Sequence, residues 1–171
     1  NGDNNSMSFA GGDVYSYTFN TTNYFPGTYT YTIYANDSNE NNATPRQGNF
    51  TIRKANSTLV LYLDGGEDNL TGYSDTAVNI TAVLFDPVSS GDFVQLYVDG
   101  LLAGNSSSPV VNITTRPVGY YNVTAVYGGN VNYTSVRVTY FLNVTDATSP
   151  VVNSHNATPN STVYGQNMTI F

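Results

Sequence analysis

Few residues in this chain could do chemistry. His155 is the only histidine and there is no cysteine. A lone imidazole without thiols builds neither a tetrahedral zinc site nor a histidine-activated nucleophile, so the abundant Ser and Thr lack a base. Asp64, Glu67 and Asp68 flank the turn Gly65-Gly66 and offer oxygen ligands that could hold Ca2+, with Asp146 a further candidate at a later junction. Their spacing does not form a twelve-residue calcium loop, and a solvated turn is the simpler reading. The other carboxylates fall in turns and linkers rather than in a shared cleft, which argues against a glycosidase pair. Lys54 sits beside Arg53 ahead of a strand, a poor place for a buried Lys–Asn isopeptide bond. The expectation is a protein with no metal or cofactor that is not an enzyme.

One covalent chemistry does stand out. Of 23 Asn, 16 open an Asn-x-Ser/Thr triplet: Asn4, Asn20, Asn36, Asn42, Asn49, Asn56, Asn69, Asn79, Asn105, Asn112, Asn122, Asn132, Asn143, Asn156, Asn160 and Asn167. Ser and Thr together number 37 of 171 residues, so chance would give about five such triplets. A glycan needs an outward position, and the alternation around several sequons provides one. Val78, Ile80 and Ala82 read as inward with Asn79 outward. Val111 and Ile113 flank Asn112 in the same pattern, Tyr121 and Val123 flank Asn122, and Leu142 and Val144 flank Asn143. Met168 follows Asn167. Asparagine-linked glycans imply export, hence an extracellular, cell-surface location.

Composition sets the frame that must present these asparagines. Tyr occurs 15 times, whereas Glu occurs twice and Lys once. Tyr, Thr and Val suit pleated, half-buried surfaces, and Asn, Asp, Gly and Ser supply turns. The chain therefore reads as all-β. Charged residues are only 10% with a net charge of −7, against about 25–35% on an ordinary soluble surface. Five Lys and Arg cannot build the basic face that nucleic acid or an anionic membrane requires. Covering glycans or neighbouring subunits would compensate for the missing charge. No signal peptide or apolar run of about 18 residues is present, so no membrane insertion is expected in this segment. Asn1 and Phe171 are expected to be cut ends within a longer exported protein.

The strand pattern gives the organisation. Leu59–Leu63, Thr76–Phe85, Phe93–Val98, a short Leu101–Ala103 segment, Val110–Thr114, Tyr120–Tyr127 and Tyr133–Val144 make seven strands. Asp64-Gly65-Gly66 and Asp99-Gly100 supply turns. Seven short strands in about 90 residues predict an antiparallel Greek-key β-sandwich. Gly27-Thr28-Tyr29-Thr30-Tyr31-Thr32 matches Gly119-Tyr120-Tyr121-Asn122-Val123-Thr124, and Asn49-Phe50-Thr51-Ile52 matches the region of Asn143-Val144. Asn167-Met168-Thr169 resembles Asn79-Ile80-Thr81. Residues 1–53 are thus expected to be the later part of one sandwich, 54–145 a complete one, and 146–171 a linker and the first strands of another. A domain assembled from both ends would lack roughly the equivalent of 84–98, with Asn1-Gly2 standing for the turn Asp99-Gly100 and Phe171 for Val83.

The runs Gly27–Asp37 and Gly119–Tyr127, with the junction Asp146–Val152, resemble tandem immunoglobulin-like repeats of large archaeal, and some bacterial, cell-surface proteins. The resemblance spans essentially the whole chain. It implies tandem immunoglobulin-like sandwiches at the cell surface and no particular ligand. Antibody domains carry a disulfide against a tryptophan, and this chain has neither. Tyr29 and Tyr121, each just after a Gly that opens a penultimate strand, are candidates for a tyrosine corner. The expected function is a structural, N-glycosylated repeat segment of a surface filament, stalk or sheath, with neighbouring copies or repeats as head-to-tail partners. The alternatives are an adhesin or glycan-binding module using Tyr73 and Tyr97 as platforms, and an accessory domain of a secreted hydrolase.

Overall fold

A computed structural model describes residues 4–88, 91–152, 155–158 and 163–170. The strands run β1 (Ser8–Gly11), β2 (Val14–Ser16), β3 (Gly27–Ile33), β4 (Arg46–Ile52), β5 (Thr58–Leu63), β6 (Leu70–Tyr73), β7 (Val78–Asp86), β8 (Phe93–Val98), β9 (Leu101–Ser107), β10 (Val110–Thr114), β11 (Gly119–Tyr127), β12 (Val136–Thr145), β13 (Ala157–Thr158) and β14 (Thr169–Ile170). One 3-10 turn, Thr21–Asn23, is capped by the Asn20 side chain, which accepts from the Thr22 amide at 2.8 Å.

Strands β5 to β12 form a sandwich. A three-stranded sheet, β10-β7-β5, faces a five-stranded sheet, β6-β12-β11-β8-β9. The chain crosses between sheets from β7 to β8, back from β9 to β10 and again to β11, which is the Greek-key connectivity of an immunoglobulin-like fold. Every pair is antiparallel except β6 with β12. Leu59, Leu61, Leu63, Val78, Ile80, Ala82 and Val110 from one sheet meet Val94, Leu96, Val98, Val123, Ala125, Tyr127, Leu142 and Val144 from the other. Full burial of each Leu or Val stabilises by about 1.5–3 kcal/mol, and the period-2 alternation aligns them on one face.

Four features differ from the sequence expectation. The strand β6 was not anticipated; it is four residues long, interrupted by Gly72, and aligned in parallel with a strand 72 residues away (Leu142 against Leu70). In β10 the faces are inverted. Val110 lies opposite Ala82 and Asn112 opposite Ile80, and residues directly opposed in an antiparallel ladder share a face. Because Ile80 and Ala82 point inward, so must Val110 and Asn112, which leaves Val111 and Ile113 exposed. Thr124, two residues from Asn122 on the face read as outward, is nonetheless buried, since Tyr97 and Thr139 flank it on the neighbouring strands. Finally, the ladder places Thr51, not Asn49, at the position of Asn143.

That last point follows from the hairpin β3–β4. Gly27 pairs with Ile52 as Gly119 pairs with Val144, and Tyr29 with Phe50 as Tyr121 with Leu142. The two hairpins therefore share one register at a constant spacing of 92 residues (119 less 27, 144 less 52). No described residue before Arg53 is fully buried, because β3–β4 and β1–β2 are separate two-stranded sheets without a facing layer. Their apolar content gathers instead into an aromatic cluster. Phe19 sits 5.1 Å from Phe50, Tyr29 stacks on Phe50 at 5.5 Å, and Tyr24 meets Tyr29 edge-on at 5.4 Å. Tyr31 and Ile33, on the same strand face, remain exposed. Among the described residues, strands β13 and β14 pair only with each other.

Candidate functional site

The two tyrosines singled out from the sequence occupy equivalent places. Tyr29 Oη donates to the Phe25 carbonyl at 2.7 Å, and Tyr121 Oη donates to the Pro117 carbonyl at 2.8 Å. Each bond ties the start of a strand to the turn four residues upstream. Arg116 adds a guanidinium 5.6 Å from the Tyr121 ring centre.

A second polar cluster, not anticipated from the sequence, joins the linker before β5 to the loop between β11 and β12. Asp92 is buried, and its Oδ1 accepts from Tyr127 Oη at 2.7 Å and from Asn130 Nδ2 at 3.1 Å. Burial, and then the neighbouring Asp92 carboxylate, push the Tyr127 hydroxyl far above the usual tyrosine range. Asn130 Oδ1 accepts from the Asn132 and Tyr133 amides, both at 2.9 Å. The linker then docks on this shaped loop. Lys54 Nζ donates to the Asn130 carbonyl at 2.6 Å, Ala55 N to Asn132 O at 2.8 Å, Thr134 N to Ala55 O at 2.9 Å, and Ser57 Oγ to Thr134 O at 2.5 Å. Lys54 is exposed, and its Nζ donates to the main-chain oxygen of Asn130 rather than meeting an asparagine side-chain amide there.

The sequons divide by orientation. Asn4, Asn20, Asn36, Asn42, Asn49, Asn56, Asn69, Asn79, Asn105, Asn132, Asn143, Asn156 and Asn167 are exposed, Asn122 is half-buried, and Asn160 lies outside the described residues. On β7 the Thr81 hydroxyl donates to Asn79 Oδ1 at 2.9 Å, and on β11 Thr124 does the same to Asn122 Oδ1 at 2.7 Å. Asn112 is the exception. Its Nδ2, the atom that would carry a glycan, donates to the Ala103 carbonyl at 3.1 Å, and its Oδ1 is buried with no protein partner. The position was expected to face outward and is turned into the sandwich.

The carboxylates weighed as calcium ligands are engaged separately. Asp64 Oδ1 accepts from the Asn79 amide at 2.8 Å and Asp68 Oδ1 from the Asn69 amide at 2.7 Å. Burial and then Glu67 raise the Tyr62 hydroxyl. Asp146 accepts from the Thr148 hydroxyl and then its amide, which hold its carboxyl below the ordinary range. Among the described residues no group of three or more His, Cys, Asp or Glu could hold a metal ion, and no helix is long and apolar enough to cross a membrane. His155 is exposed.

On the outer face of the five-stranded sheet, Tyr97, Asp99, Asn122, Thr124, Val126 and Arg137 line a shallow open concavity. Tyr73, at the end of β6, is exposed.

No protein-family model and no curated protein sequence matches the chain. Among solved structures it is similar to the fibronectin(III)-like modules of Clostridium thermocellum CbhA, at 19% identity over 52% of this chain and 100% of that chain, with a TM-score of 0.41. The chain contains an immunoglobulin-like β-sandwich. That assignment rests on its own strand order and on the register of its ladders.

Proposed function

We propose that this chain is a structural, N-glycosylated segment of an extracellular filament, stalk or sheath built from tandem immunoglobulin-like repeats, like those of archaeal and some bacterial cell surfaces. Residues 1–53 form the later part of one sandwich, 54–145 a complete sandwich, and 146–171 a linker and the opening of a further one. Neighbouring repeats or copies follow one another head to tail. The chain performs no catalysis and needs no cofactor. The observation that carries this reading is the second hairpin: β3–β4 repeats the register of β11–β12, with the same tyrosine-to-carbonyl bond at its start. A linker hydrogen-bonded to the following sandwich favours a stiff array over loosely strung beads.

The exposed sequons, with Asn112 now excluded, hydrate a surface that is otherwise short of charge. Electron micrographs of the native material test the reading: ordered fibres or a lattice with a repeat of sandwich dimensions are expected. Dispersed globular particles in native preparations would overturn it.

A second reading, an adhesin or glycan-binding module, is favoured by the concavity at Tyr97 and Arg137. It predicts retention on immobilised saccharides that Tyr97→Ala abolishes.

A further inference from the structure

On the outer face of β11 and β12, aromatic rings and sequon asparagines alternate. Tyr120, Asn122 and Thr124 occupy successive outward positions of β11, and Phe141, Asn143 and Thr145 those of β12. The strands run antiparallel, so Tyr120 lies opposite Asn143 and Asn122 opposite Phe141. Each asparagine therefore has one ring two residues upstream on its own strand and the other ring directly across. The rings stack on each other with centroids 5.2 Å apart and planes 16° apart, and Tyr120 is 65% exposed. Of the 16 sequons only Asn36, Asn122 and Asn143 have an aromatic residue two positions upstream. Tyr120 is exposed and Phe141 half-buried on this outer face, so the pair lies outside the packing between the two sheets. A pyranose, with axial C–H bonds on one face, is the ligand such rings suit.

We propose that Tyr120 and Phe141 form a docking platform for the first sugar of the glycans carried by Asn122 and Asn143, which fastens those glycans to the sheet and stabilises the sandwich. The proposal rests on the glycosylation reading above. Its chemistry is that of a covalently attached sugar, held at high effective concentration by its own asparagine.

The test is a double cycle on the full chain: with and without the Tyr120→Leu/Phe141→Leu pair, made in a glycosylating host and in one lacking asparagine-linked glycosylation. With the rings present, glycosylation is expected to raise the melting temperature by about 4 °C or more beyond its effect in the Leu pair. The NMR signals of the first sugar on Asn122 and Asn143 should move upfield relative to the sugar on Asn79, a measurement that needs no variant. Glycopeptide mapping separates the failures. Bare Asn122 and Asn143 in native material would sink both the platform and glycosylation at those sites. Occupied sites with equal stabilisation in the two backgrounds and no upfield shift would overturn the platform alone.

Discussion

Replacing Tyr127 with Phe tests how the linker is held. The Tyr127 ring is buried in the core, and only its hydroxyl leaves that core to meet Asp92 at 2.7 Å. Tyr127→Phe keeps the ring volume and removes one hydrogen bond to a carboxylate. Such a bond contributes about 1.5–3 kcal/mol, a sizeable share of the roughly 5–15 kcal/mol that holds a domain together. For a sandwich of this size the melting temperature should fall by about 6–24 °C. Asp92 retains Asn130 among its partners, which favours the lower half of that range. The effect should also spread. Asn130 shapes the loop whose Asn132 carbonyl receives the Ala55 amide, and whose Thr134 amide donates back to Ala55. Hydrogen exchange at Ala55 and Thr134 is therefore expected to accelerate more than exchange in β5 or β7. A variant melting within about 1 °C of the parent, with unchanged protection at Ala55, would refute the coupling between Asp92 and the linker.

Three further outcomes follow from the same geometry. Val123→Asp, which buries an unpaired carboxylate, should cost several kcal/mol, whereas Val111→Asp on the exposed side of β10 should stay within about 0.5 kcal/mol; equal losses in thermal melting would contradict the register of β10. Glycopeptide mapping of native protein should find glycan on Asn79 and none on Asn112, whose nitrogen is bound to Ala103. Stability should fall as the solution becomes strongly alkaline: Tyr127 and Tyr62 are raised in the folded chain, so their contribution is intact below about pH 10, where unfolded tyrosine titrates, and is lost as pH climbs toward the folded values. A melting temperature flat across that window would count against both environments.

Much of the sandwich was legible because alternation is local. Leu59, Leu61 and Leu63 can share a face in only one way, and the same holds for Val94, Leu96 and Val98. The run Pro109-Val110-Val111-Asn112-Ile113 is different, since its two adjacent valines permit either parity. The apolar-polar-apolar triplet favoured one face, and pairing with β7 imposed the other. Strand β6 gave no local signal: four residues broken by a glycine become a strand only because β12 supplies a partner. The burial of Thr124 depends on Tyr97 and Thr139, and the Asp92–Tyr127–Asn130 contacts on residues 35 and 38 positions apart. Neither belongs to any sequence window. The tyrosine hydroxyl bonds, by contrast, close within four residues, and a Gly-x-Tyr at a strand start was enough to suggest them.

How stiff an array of such units is depends on where the linker can still bend. Ile52 is the last paired residue of β4, and Lys54, Ala55 and Ser57 are each hydrogen-bonded to the β11–β12 loop. Only Arg53 lies between these two anchors, so bending freedom before β5 concentrates in the backbone torsions of one residue rather than in a flexible coil. The 92-residue spacing puts Ala147 and Ser149 where Ala55 and Ser57 stand, and Asp146 where Lys54 stands. Ala55 bonds through its backbone and Ser57 through its hydroxyl, so both contacts can recur at the second junction unchanged. The lysine contact cannot. A carboxylate has no proton to give a carbonyl, and Asp146 turns instead to the Thr148 amide two residues on, closing a local turn. In the proposed array the second joint would thus exchange one long-range tie for a short-range one. On the proposed reading, successive joints of one array would differ in stiffness at equal length.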